Sequence, residues 1–209
     1  MSTAASTPTP RVATEAEPLG EQRFVLHGVP WATYVALRDA LDEDRSGGVR
    51  MTYLEGTLEL MSPSTLHEDA KKILARLLET WATERDVDLR GFGNATFRKE
   101  AKRGGLEPDE CYKLGALTDE GVPDIAVEVV VASPLVDKLE VYARLGVPEV
   151  WIWTDGVLTV HCLADDGRYA VDARSRILPA LDVAQLARFI QPGESQTKLT
   201  RAYRDALRV

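Results

Sequence analysis

Cysteine is nearly missing from this chain, with only Cys111 and Cys162 in 209 residues. Both sit in apolar stretches, so they exclude a disulfide framework and fit buried thiols of a reducing compartment. With three histidines and no metal-type spacing between them and the cysteines, a structural zinc site is excluded as well. Long apolar runs are absent too. No stretch reaches membrane-spanning length, and MSTAASTPTPRVATEAEPLG at the start lacks the apolar segment of a signal peptide. A cytoplasmic protein with no membrane partner is expected. A basic surplus is also lacking, since 25 Lys and Arg against 33 Asp and Glu leave a net charge of -8. That argues against an indiscriminate nucleic-acid binder, whose affinity comes from excess cations. Any attraction for phosphate must come from a local patch or from bound metal ions. Without a Gly-rich phosphate loop, a nucleoside-triphosphate enzyme is excluded.

What remains is the composition of one globular domain, 44% hydrophobic and 28% charged. Residues 1–20 are too rich in Ser, Thr, Pro and Glu to bury surface, which predicts a disordered tail. The domain proper is expected over 21–190, with a strand and helix extension at 21–49 and a C-terminal helix within 191–209. RFVLHG suggests a short strand, and Tyr34, Leu37 and Leu41 mark a helix over 30–43. VRMTYLEGTLELMSP reads as a hairpin turning at Glu55-Gly56. Thr65 and Glu68 form a capping-box pattern before the stripe Ala70, Ile73, Leu74, Leu77, Leu78 and Trp81. ATFRKEAKRGG predicts a strand ending in a Gly-Gly turn, and PDECYKL a second strand. The β-branched run PDIAVEVVVAS predicts a strand covered on both faces. Ser133-Pro134 opens a helix that Gly146 and Pro148 close. PEVWIWTD and GVLTVHCL follow, joined at Asp155-Gly156. Strand, helix, strand here demands a right-handed parallel crossover. The fold class is therefore α/β, one central mixed sheet flanked by helices, with further helices near 181–190 and 196–207.

Glu128 stands inside the β-branched run, where an unpaired carboxylate is heavily penalised. It is either paired with a basic group or holds a metal. Asp124 shares its face but lies about 13 Å away at strand rise, too far to clasp the same ion. Asp109, on a neighbouring strand, can come closer. Two carboxylates from adjacent strands suit Mg2+, which takes few protein ligands and keeps its waters. Lys138, early in the next helix, could fold back and stabilise developing charge. Arg98, Lys99, Lys102 and Arg103 gather just before Asp109 and are the one obvious basic patch for DNA phosphates, a solvated hairpin being the equal alternative.

The segments YLEGTLELMSPS, GLEPDECYKLG, VPDIAVEVV, DKLEVYARLGVPEVWIW and GVLTVHCL with DGRYA, in this order over roughly 50–190, resemble the Uma-two family of restriction endonucleases, within the PD-(D/E)XK nuclease-like superfamily. The resemblance implies a restriction-endonuclease-like core and a Mg2+- or Mn2+-dependent endonuclease acting on DNA. By position it implies Asp109 as the first acidic ligand and Glu128 as the acid of the (D/E)XK element; the Val129 carbonyl is a candidate third metal ligand. The motif's lysine belongs at Val130, and the resemblance points instead to Lys138. Glu55 would be an additional acid near the metal. A homodimer follows only by analogy with enzymes that cut both strands.

Simpler roles stand beside these. Asp109 could cap a turn, Glu128 could form a buried ion pair with Lys138, and Lys138 or Glu55 could be solvated. His67 falls on the apolar stripe of its helix and reads as a packing residue facing the sheet. Trp151 and Trp153 read as core, and His161 carries no role. With valine at position 130, the alternative to an endonuclease is a nuclease-like domain that no longer cuts and serves as a binding or regulatory module.

Overall fold

The computed structural model describes residues 20–43, 48–93, 95–115, 121–132 and 136–208. The tail predicted over 1–20 therefore lies outside the described residues except for Gly20, and so does the Ser133-Pro134 cap.

Two sheets form. The first has five strands in the order β1 (Gln22–Leu26), β3 (Thr57–Ser62), β2 (Arg50–Leu54), β6 (Gly104–Leu106) and β5 (Phe97–Lys99), every neighbour antiparallel. The second is the mixed sheet, six strands in the order β11 (Tyr169–Asp172), β10 (Val157–Leu163), β9 (Glu149–Thr154), β8 (Ile125–Val130), β7 (Glu110–Leu114) and β4 (Leu89–Gly91). Its parallel pair is β8 with β9, joined through α3 (Lys138–Leu145) as the crossover rule requires. The central mixed sheet is as expected, while the Glu55-Gly56 hairpin joins a second sheet instead of extending it.

Alternation decides which face meets what. From β8 and β9, Ile125, Val127, Val129, Trp151 and Trp153 pack under α2 (Thr65–Glu84), α4 (Val183–Arg188) and α5 (Gln196–Ala206). Ala126 and Val150 face the other way, onto Val141, Tyr142 and Leu145 of α3. The first sheet covers the far side of α3 through Leu106 and turns its outer face, Met51, Tyr53 and Leu58, to Tyr34 of α1 (Trp31–Glu43). α3 is thus enclosed between two sheets.

Some boundaries moved for local reasons. The cap of α2 is Ser64, whose side chain accepts the His67 N–H at 3.2 Å, one residue before the predicted Thr65. α3 begins later than predicted, capped by Asp137 through the Glu140 N–H at 3.1 Å. Gly104-Gly105 is not the turn. Arg103 makes it in the left-handed region, and the glycines form β6, where a Cβ on Gly105 would meet the Tyr34 hydroxyl at 2.5 Å. Both cysteines are free and buried. Among the described residues no helix is long and apolar enough to cross a membrane.

Candidate active site

Pro108 has no N–H to give, so the β7–β8 ladder stops at Glu110 opposite Val127. Asp109 continues it with its side chain. Its own N–H donates to Val127 O at 3.1 Å, and its Oδ2 accepts the Val129 N–H at 2.8 Å. The other oxygen, Oδ1, lies 2.9 Å from His67 Nε2, and His67 Nδ1 lies 3.0 Å from Glu21 Oε2. Burial pulls the imidazole down, but a carboxylate on each nitrogen overrides it and raises its pKa to about 9. His67 is therefore a doubly donating imidazolium at neutral pH. Burial pushes Asp109 up, yet the His67 bond, the Lys138 and His67 charges and the Val129 N–H hold it well below the usual carboxylate range.

Glu128 is 1% exposed and faces α3. Lys138 Nζ donates to its Oε2 at 2.7 Å, and the Tyr142 hydroxyl donates to its Oε1. Lys138 and Tyr142 are four residues apart, on one helix face. Burial raises the Glu128 pKa, the Lys138 charge opposes that, and the Asp109 charge adds to it. Lys138 is also buried, but the Glu128 and Asp109 charges keep its pKa above the ordinary value. Asp109, Glu128 and Lys138 thus share one electrostatic neighbourhood. Val130 lies on the Glu128 face and lines, with Val136, Lys138 and Ile152, an open pocket of about 440 Å³. Where the general motif wants lysine there is a methyl-lined wall, and the amine arrives from the helix instead.

The remaining expectations fare unevenly. Glu55 sits in the β2–β3 turn at φ 48°, exposed, with Arg144 Nη1 2.7 Å away. It has no bond to the site residues. The acid of that hairpin that turns inward is Glu59, buried, paired with Arg23 and accepting the Val136 N–H at 3.1 Å. Between Leu58 and Leu60, alternation reads Glu59 as the solvent side of a half-buried strand, so its burial was not marked in the sequence as that of Glu128 was by a continuous β-branched run. His67 is no mere packing residue, and a helix wheel could not separate a buried imidazolium from a buried leucine. Nothing in the sequence pointed to Glu21, whose partner lies 46 positions away. Arg98, Lys99, Lys102 and Arg103 are exposed. Lys99 Nζ reaches Leu145 O at 3.3 Å, and the Lys102 carbonyl accepts Arg144 Nη1 at 3.4 Å. Lys99 and Lys102 therefore lie at the C-terminal end of α3, about 10 Å along the helix from Lys138, while Arg98 turns to α1 and pairs with Asp39 at 2.8 Å.

Among the described residues no three or more His, Cys, Asp or Glu side chains converge as a metal cage. The donors present are two buried carboxylates on adjacent strands, hard oxygen ligands that suit Mg2+ with its retained waters. Each of their oxygens already accepts one hydrogen bond and keeps a second lone pair free for a cation.

The family model Uma2, described as "Putative restriction endonuclease", matches residues 31–195, which include every one of these acids except Glu21. The chain belongs to the Uma2 family. A crystal structure described as a "putative nuclease" from Anabaena variabilis aligns at 14% identity and a TM-score of 0.41, covering 73% of this chain and 90% of that one. No curated protein matches the chain.

Proposed function

We propose that this Uma2 protein is a metal-dependent endonuclease hydrolysing DNA phosphodiester bonds. The observation that carries this reading is that Asp109, Glu128 and Lys138, from β7's approach, β8 and α3, are buried together in one charged site. Asp109 and Glu128 would hold Mg2+ or Mn2+, with the Val129 carbonyl as a third oxygen donor. The ion, when bound, supplies Lewis-acid polarisation of the phosphate and a more acidic water. The chain's residues do the rest. His67 and the Val129 N–H fix both oxygens of Asp109 in one orientation. Tyr142 and Lys138 each hold one oxygen of Glu128. Lys138 presents its ammonium beside Glu128, where it can neutralise charge developing on the phosphate oxygens. Cutting both strands with one site per chain favours a homodimer.

Incubating the protein with supercoiled and linear DNA in Mg2+, Mn2+ or chelator, beside Asp109→Ala, Glu128→Ala and Lys138→Met, tests this. Metal-dependent cleavage is expected, falling by about 100-fold or more in each variant. Cleavage surviving Glu128→Ala sinks the assignment. The second reading, a binding module that no longer cuts, is favoured by Val130 on the Glu128 face. DNA binding without cleavage in any metal would select it.

A further inference from the structure

Arg50 opens β2 and stands within ion-pair range of two carboxylates without a hydrogen bond to either. The residue is 9% exposed, and its nearest acidic oxygens, Glu68 Oε1 at 3.9 Å and Glu107 Oε2 at 4.0 Å, lie beyond hydrogen-bonding distance. Its Nε is buried without a partner. Both flanking acids already have cations of their own. Glu107 accepts Arg38 Nε at 2.7 Å and the Thr96 hydroxyl at 3.1 Å, and Glu68 is in contact with the Lys71 ammonium. Three cations, Arg38, Arg50 and Lys71, thus share two carboxylates, and among the described residues the Arg50 guanidinium makes no hydrogen bond. Buried polar groups are overwhelmingly paired, so an unpaired arginine fork calls for an occupant.

Its place in the fold says which occupant. Arg23, Met61 and Arg50 form one transverse row across β1, β3 and β2, so Arg50 shares the face of Arg23 and Glu59 that turns towards the site. Glu68 follows His67 in sequence, and Glu107 stands two residues before Asp109. The fork is bracketed by the immediate neighbours of the site residues. Arginine's planar donors match the paired oxygens of a phosphate, and among the described residues no carboxylate lies within hydrogen-bonding distance of them.

We propose that Arg50 is a phosphate-binding residue, gripping a DNA backbone phosphate adjacent to the one held at Asp109 and Glu128. The anion chemistry stands on Arg50 alone, while its assignment to DNA rests on the nuclease reading.

The test uses the full chain in Ca2+, with labelled duplex DNA titrated at several salt concentrations against wild type, Arg50→Met and Arg50→Lys. Arg50→Met is expected to weaken binding about tenfold and to reduce the salt slope by about one. Arg50→Lys should keep the slope and lose part of the affinity, a split that a purely structural role would not produce. In parallel, inorganic phosphate should shift the wild-type Arg50 Nε–Hε resonance in a 15N spectrum. DNA binding with unchanged affinity and slope in Arg50→Met, and a resonance indifferent to phosphate, overturn the proposal while leaving the nuclease reading intact. A resonance that responds to phosphate in a protein that binds no DNA supports the anion site and sinks the nuclease reading.

Discussion

Seven carboxylates are withdrawn from water among the described residues, Glu21, Glu59, Glu107, Asp109, Glu110, Glu128 and Glu149, and their partners separate their roles. Glu149 is satisfied by the fold itself. It accepts the N–H groups of Arg176 at 2.5 Å and Ile177 at 2.9 Å, the Ser175 hydroxyl at 2.7 Å and the Trp151 indole N–H at 2.9 Å. Glu149→Ala should therefore cost about 2 kcal/mol or more by orphaning those donors, seen in urea unfolding, while leaving Mn2+ affinity of the folded protein unaltered. Asp109 instead leans on a titratable group. The folded His67 value of about 9 lies above its ordinary 6.5, so its stabilisation is complete below pH 6.5 and is lost as pH rises through 9. Metal-free protein should lose up to about 3 kcal/mol of unfolding free energy across that window. His67→Gln should flatten the loss, and an unchanged profile in that variant would show that the imidazolium is not its source.

At the scale of elements, the hairpin sheet is held to α1 through a gap with no room for a side chain. A Cβ on Gly105 would meet the Tyr34 hydroxyl at 2.5 Å, and that hydroxyl is buried without a partner. Gly105→Ala is expected to cost about 1–3 kcal/mol by overpacking. Tyr34→Phe alone should be close to neutral, because the group it removes makes no bond. The double variant should recover much of the loss in a denaturation cycle; strict additivity would place the strain elsewhere. β1 is another element whose weight exceeds its length. It is an edge strand paired only with β3, yet Arg23 bonds Glu59 and Glu21, and Glu21 precedes it to hold His67.

For the whole molecule, charge is the governing fact. At a net -8, the surface repels a polyanion unless cations intervene. Duplex binding measured by anisotropy should be weak in chelator and strengthen by about tenfold or more when Ca2+ is supplied, then fall with added salt. Equal affinity with and without the divalent ion would mean that DNA is held elsewhere than at Asp109 and Glu128. The C-terminal helix belongs to the same body. Leu199, Tyr203 and Leu207 join the core beneath α2, and Arg85 Nη2 donates to Leu207 O at 3.0 Å.

Local chemistry was legible in the residues themselves. A continuous β-branched run marked β8, periodicity of 3.6 marked α1 and α2, Asp155-Gly156 marked a turn, and the desolvation of an acid among valines singled out Glu128. These depend on neighbours within a few positions. The charge partners did not. Glu21 with His67, His67 with Asp109, and Arg50 with Glu107 join segments 46, 42 and 57 residues apart, through packing of two sheets about α3. Sequence alone left a metal-ligand reading of Asp109 beside a capping aspartate, and a charge-stabilising reading of Lys138 beside a solvated lysine. Tertiary structure decided that both are buried beside Glu128, because only the closed sheets remove the water that would otherwise have screened them.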